Sequence, residues 1–247
     1  AAKNEDANRM NDADYAKFTK ITDYIYEVIN LFEFDTGFDL TVDIKMYLGA
    51  GLGSSAAVTV SCMKALSLFN HIEMDKKEIA TKARDIEIKI QGAASPIDTS
   101  MSTYGGIIYI NEEFELQRIN FDMDLPLIVS NCELSGNTGQ LVESVRQKYV
   151  KYPEIVGNIF NAMQEISKNA KHALENGNSE ELGDLMNLNQ GLLDSIGVNT
   201  VELSDMVYLS RKFGAKGSKL TGSGGGGCII AYCPENINRI YEELSSK

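Results

Sequence analysis

Three stretches of the chain hold residue types that could do chemistry, at spacings that would let them do it. The first is Leu48-Gly49-Ala50-Gly51-Leu52-Gly53-Ser54-Ser55-Ala56-Ala57. Its glycines let the backbone approach a ligand closely and take positive φ. A helical pattern follows, so the unsatisfied N–H groups and partial positive charge of a helix start would face outward. That combination suits a phosphate, and Ser54 and Ser55 add hydroxyls for phosphate or a metal ion. The alternative is a glycine turn with serine N-caps. No Gly-Lys-Ser/Thr follows, so this is not a Walker loop.

The second stretch runs from Glu87 to Asp98. A helix is expected to end near Gln91-Gly92, and a loop to present Ser95 and Asp98. A carboxylate held on a rigid loop can accept a proton from a hydroxyl nucleophile. Glu87, inside the helix, could face the same cleft and bind a cation; Mg²⁺ takes a few protein oxygens plus substrate phosphates. Taken alone, a helix C-cap and a proline turn with a solvated aspartate explain this stretch as well. The third stretch is Lys219-Leu220-Thr221-Gly222-Ser223-Gly224-Gly225-Gly226-Gly227-Cys228. It could be a flexible linker. It leads straight into an apolar strand pattern, however, which fits a backbone-lined loop beside a phosphate better.

These stretches need elements to hold them. Phe18, Ile21, Ile25, Val28, Ile29 and Phe32 recur at three- and four-residue steps, which predicts a helix from about Asp14; residues 1–12 read as a polar loop. Leu40, Val42, Ile44 and Met46 alternate with polar or small residues and predict a half-buried strand. Helices are expected over about 54–69 and 76–90, and a strand over 105–110. A break marked by Asp122, Asp124 and Pro126 divides the chain into 1–124 and 125–247. The second part begins with a strand at Leu127. Helices follow over roughly 138–149, 153–175, 179–193 and 201–213, with Pro153 in a first turn. A strand at 228–232 and a last helix from Pro234 complete it. Strands and helices mix without a strict βαβ alternation, which indicates an α+β fold.

Composition excludes several classes. Of 247 residues, 43% are hydrophobic and 23% charged, with 23 Lys plus Arg against 35 Asp plus Glu, a net charge of −12. A nucleic-acid-coating protein would carry the opposite sign. Four cysteines, Cys62, Cys132, Cys228 and Cys233, make no disulfide framework and read as small core hydrophobes. Two histidines leave little room for His-based metal or hydrolase machinery. The acidic start is unlike a signal peptide. The apolar runs fall short of the ~20 residues needed to span a bilayer. A cytoplasmic protein without membrane or nucleic-acid partners is expected.

In this order, the three stretches resemble the GHMP small-molecule kinases, a superfamily that includes galactokinase, homoserine kinase, mevalonate kinase and phosphomevalonate kinase. Gly51-Leu52-Gly53-Ser54-Ser55-Ala56-Ala57 is similar to the superfamily's phosphate loop, and Lys219 to Cys228 to its C-terminal glycine motif. Within the superfamily the likeness is to the mevalonate kinases, the archaeal type in particular. It rests on Glu87-Ile88-Lys89, Gln91-Gly92-Ala93-Ala94-Ser95-Pro96-Ile97-Asp98, Ser102-Thr103-Tyr104-Gly105-Gly106, Met186-Asn187-Leu188-Asn189-Gln190-Gly191-Leu192-Leu193 and Gly197-Val198-Asn199.

The resemblance implies a two-domain fold: an ATP-binding part like ribosomal S5 domain 2 over 1–124, and a ferredoxin-like α/β part over 125–247, with the active site in the cleft between them. It implies ATP-dependent phosphorylation of the 5-hydroxyl of mevalonate. Phosphomevalonate or homoserine as acceptor, or a non-catalytic nucleotide-binding role, stands as the alternative. It implies Asp98 as catalytic aspartate with Ser95 beside it, and Ser55 and Glu87 as Mg²⁺ ligands. Gly49, Ala50, Gly51, Leu52, Gly53, Ser54 and Ser55 would cradle the ATP phosphates, with Thr221 and Gly222 flanking them. It also implies a homodimer. The family carries a catalytic lysine and a Gly-Glu-His segment in an opening strand; neither stands in this sequence, so the chain is expected to begin some way into the fold, without those first strands.

Overall fold

The computed structural model describes residues 12–46, 48, 50–92, 94–132, 134 and 136–246, with side chains from Ile21 onward. The described residues pack as two compact units, one from 12–48 and 53–106, the other from 50–52 and 107–246. Residues 107–124, placed by the sequence break with the first part, pack in the second unit.

The described part of the first unit is built from helices. They are α1 (Asp12–Ile29), α2 (Ser54–Phe69), α3 (Lys76–Gln91) and α4 (Ile97–Tyr104). α3 opens on Asp75, whose carboxylate accepts from the Glu78 N–H at 2.8 Å, and closes on Gly92 at φ +83°. Its buried residues Ile79, Ala80, Ala83, Ile86 and Glu87 recur at helical spacing. Of these, Ile79, Ala83 and Ile86 meet Val58, Cys62, Met63 and Leu66 of α2, together with Ile21 and Val28 of α1. Glu87 therefore occupies a core-stripe position that apolar side chains fill elsewhere on the helix.

Two expectations change here. Residues 38–44 alternate between half-buried and exposed, and Leu40, Val42 and Ile44 pack on the core, as a strand would. Among the described residues no strand pairs with them, and without a ladder the segment is extended chain rather than β-structure. The loop expected to carry Asp98 is instead the start of α4, which places Asp98 in a helical first turn.

The second unit mixes sheet and helix. β1 (Ile108–Ile110) and β2 (Leu116–Arg118) form a hairpin. β3 (Leu127–Asn131), β4 (Gly217–Leu220) and β5 (Cys228–Tyr232) form an antiparallel sheet in the order β3-β5-β4. The helices are α5 (Thr138–Lys151), α6 (Pro153–Glu175), α7 (Ser179–Ser195), α8 (Val201–Lys212) and α9 (Ile237–Ser245). On one face of the sheet, Ile230 and Tyr232 pack with Ala173 and Leu174 of α6 and with Leu182, Leu185 and Met186 of α7. Ala231 and Ile229 point the other way. The first meets Ile240 and Leu244 of α9, the second Leu203 and Val207 of α8. This is the α+β arrangement the sequence predicts. All four cysteines are free, and no helix among the described residues is long and apolar enough to cross a membrane.

Candidate active site

Of the expected site residues, Gly53, Ser54, Ser55, Glu87, Ser95 and Asp98 pack in the first unit. The cap of α2 is Gly53, in the left-handed region at φ +68°, and not a serine. The first intrahelical bond runs from the Ala57 N–H to the Gly53 carbonyl at 3.0 Å. The amides before it therefore point out along the axis from the positive end of the helix. Gly53 also lies against α4: a Cβ added there would stand 3.4 Å from Asp98 Cγ. Glycine is favoured at 53 by its φ; a Cβ there would make only ordinary contact with the Asp98 carboxyl.

Behind this helix start, the Ser55 hydroxyl donates to Glu87 Oε1 at 2.8 Å. Glu87 is only 4% exposed. Its pKa is raised, first by burial; the Ser55 hydrogen bond opposes this, and the negative charge of Asp98 adds to it. Asp98 keeps an exposed surface, yet enough protein surrounds its carboxyl to push its pKa up as well. Two carboxylates within electrostatic reach, each costly to ionise, mark a place where a cation or proton would be stabilising. The Ser55 hydroxyl and Glu87 carboxylate are hard oxygens, the donor chemistry that Mg²⁺ takes. Among the described residues no group of three or more His, Cys, Asp or Glu could hold a metal ion by itself.

Ser95 has a different local task. Its hydroxyl accepts the Ile97 N–H at 3.3 Å, just ahead of α4. The Arg84 guanidinium donates through Nε to the Ala94 carbonyl at 3.1 Å and ties the same loop to α3. Tyr24, which reads from the sequence as core, is buried but has a polar task too. Its hydroxyl accepts from Gln91 Nε2 at 2.6 Å, and its pKa is raised mainly by burial, with Ser55 and Glu87 among its electrostatic neighbours. Periodicity identifies such a tyrosine as buried but is silent on where its hydroxyl goes.

Ala50, Gly51, Leu52, Thr221 and Gly222 pack in the second unit; Gly49 lies outside the described residues. The glycine-rich run is the connection between β4 and β5, not a linker. The Thr221 hydroxyl donates to the Gly51 carbonyl at 2.7 Å, and the Cys228 N–H to the Ala50 carbonyl at 3.1 Å. The two backbones touch so closely that a Cβ on Gly222, at φ +68°, would fall 2.8 Å from Gly51 Cα. Beside them, the Lys219 amine donates to the Leu220 carbonyl at 2.7 Å, and burial pulls its pKa down to about 8. Lys219 opens the glycine-rich stretch, where residue type alone does not show that its amine is buried.

Comparison with known proteins bears on this geometry. The chain matches the GHMP kinases N terminal domain over residues 23–106 and the GHMP kinases C terminal domain over residues 170–247. It is 41% identical over 225 residues to the mevalonate kinase of Methanothermobacter thermautotrophicus, covering 91% of this chain and 74% of that protein. Its fold superposes on Leishmania major mevalonate kinase, solved in complex with R-mevalonate, at a TM-score of 0.83 and 26% identity, covering 96% of this chain and 76% of that one. It superposes on Methanococcus jannaschii mevalonate kinase at a TM-score of 0.77 and 30% identity, covering 98% and 76%.

Proposed function

The chain belongs to the GHMP kinases, and from that premise we propose that it transfers the terminal phosphoryl group of ATP to the 5-hydroxyl of mevalonate, giving 5-phosphomevalonate. The observation that carries the reading is the pairing of Ser55 with Glu87, with the Asp98 carboxyl over the backbone of Gly53, at the N-terminus of α2.

Phosphoryl transfer is mostly positioning and charge stabilisation. In this reading the continuous loop from Gly51 to Ser55 offers its amides to the nucleotide phosphates, and the Thr221 hydroxyl holds its Gly51 carbonyl. Asp98 accepts a hydrogen bond from the acceptor hydroxyl and takes its proton as the new P–O bond forms. Its raised pKa makes it a better base than an ordinary aspartate, since burial disfavours the bare charge. Ser95 sets the entry to α4 and so the direction of Asp98. Ser55 and Glu87 would hold Mg²⁺, which supplies positive charge to the phosphates as charge moves onto the leaving oxygen. The net charge of −12 does not oppose an anionic substrate, because distant surface charge is screened beyond ~8–10 Å.

Homodimerisation and a cytoplasmic location complete the reading as expectations of the family resemblance. ADP release with mevalonate, phosphomevalonate, homoserine and galactose offered in turn tests the acceptor. Mevalonate should give the highest kcat/KM; a higher value for any of the others would move the assignment to a different member of the superfamily.

A further inference from the structure

We propose that Asn187 and Gln190 on α7 are positioning residues for the nucleotide side of the reaction: they pin the edge of β4 and thereby set where Thr221 holds the Gly51 carbonyl. The inference rests on the kinase reading above and extends it to residues without a role there.

β4 is one of the two outer strands of the sheet, so among the described residues one row of its backbone groups has no strand to pair with. α7 supplies the partners. Asn187 and Gln190 stand three residues apart and share one face of that helix. Asn187 Nδ2 donates to the Lys216 carbonyl at 2.9 Å, and Asn187 Oδ1 accepts the Ser218 N–H at 3.1 Å. Gln190 Oε1 accepts the Leu220 N–H at 2.8 Å. The residues served are 216, 218 and 220, every second one, which is the period at which a strand presents groups to one edge. Together with the Arg211 guanidinium of α8, which donates to the Ser218 carbonyl at 2.7 Å, the two side-chain amides do for this edge what a further strand would do. Gln190 is buried, at 6% exposure, so solvent has little access to replace it.

The consequence lies one residue further on. Thr221 follows Leu220 directly, and its hydroxyl holds the Gly51 carbonyl while its N–H donates to the Cys228 carbonyl at 2.9 Å. An edge strand free to shift its register would turn the Thr221 side chain to the opposite face. Pinned at 218 and 220, β4 delivers the Thr221 hydroxyl to the phosphate loop in one register only.

The test is steady-state kinetics of Gln190→Met and Asn187→Leu beside the wild type, with ATP and mevalonate varied separately. Loss of one of these bonds should raise KM for ATP about tenfold, while KM for mevalonate stays within about twofold. A folded variant with unchanged KM for ATP, or with both KM values raised alike, overturns the proposal. Gln190→Glu keeps the acceptor oxygen and should restore most of the ATP affinity. Should the buried variants fail to fold, Thr221→Val removes the Gly51 bond at the surface and must give the same rise, whereas Thr221→Ser must not; an unchanged KM in Thr221→Val overturns the proposal equally. Calorimetric titration with MgADP separates the two levels of the argument. Variants that bind ADP as tightly as a tightly binding wild type defeat the positioning role alone. A wild type that binds no ADP defeats the kinase reading, and this inference with it.

Discussion

Around Glu87 and Asp98 the chemistry sits on side chains, whereas around Gly51 and Thr221–Gly227 it sits on the backbone. In the first region two carboxyl groups are held where burial raises their pKa, so the folded chain spends stability to keep them chargeable. In the second, positive-φ glycines bring two chain segments into contact, and no titratable side chain is needed to present N–H and C=O groups. The lesson is that the two regions should fail in opposite ways. Isosteric changes of charge should abolish function in the first and spare the fold; a single added methyl should damage the second while leaving its charge untouched.

The largest effect is expected from Asp98→Asn. It keeps the shape and removes the base, so kcat should fall about 10³-fold with ADP binding retained, read by steady-state rates and calorimetry. Glu87→Gln comes next. The amide oxygen can still accept from Ser55, so only the charge is lost. Turnover should drop on the order of a hundredfold at low Mg²⁺ and recover in part as Mg²⁺ is raised. Gly222→Ala breaks the other region instead. A Cβ 2.8 Å from Gly51 Cα, at φ +68°, should cost about 2 kcal/mol in urea unfolding and raise KM for ATP.

The smallest effect is on stability against pH. The folded-state pKa of Asp98 lies above its ordinary value of 3.8, so the folded chain binds that proton more readily than the unfolded one. The contribution of Asp98 to stability is therefore most favourable below the ordinary value and declines as pH rises through the raised one. Asp98→Asn should melt higher than wild type at neutral pH, and the gap should close as the solution is acidified through that window. A gap that widens on acidification would mean the carboxylate is stabilised rather than strained.

The strongly periodic elements were legible beforehand. The span of α2 follows from its apolar run after a glycine turn, and that of α6 from Pro153 at its first position. α4 was not legible, because four of its eight residues are Ser or Thr, which form helix poorly alone. Tertiary contacts hold it: Thr99 and Ser100 are buried, and the Thr103 hydroxyl turns back to the Thr99 carbonyl at 2.7 Å. Reading Asp98 as a loop residue was thus wrong about its element and right about its neighbourhood. β4, Gly-Ser-Lys-Leu, carries almost no apolar alternation and owes its place to β5 and to the amides of α7. Residues 38–44 erred in the other direction, since alternation reports which face is buried and not whether a partner strand is there. In the candidate site, residue types and order were legible. The Ser55–Glu87 bond, the Gly53–Asp98 approach and the Tyr24–Gln91 pair were not, because each joins residues more than 30 positions apart.

The most direct test of the account is ³¹P NMR of the purified chain with MgATP and R-mevalonate. The account predicts a new phosphomonoester resonance that grows in step with ADP and depends on the Asp98 carboxylate. ATP left intact, ATP hydrolysed to free phosphate with no phosphomonoester formed, or an equal rate from Asp98→Asn would contradict it.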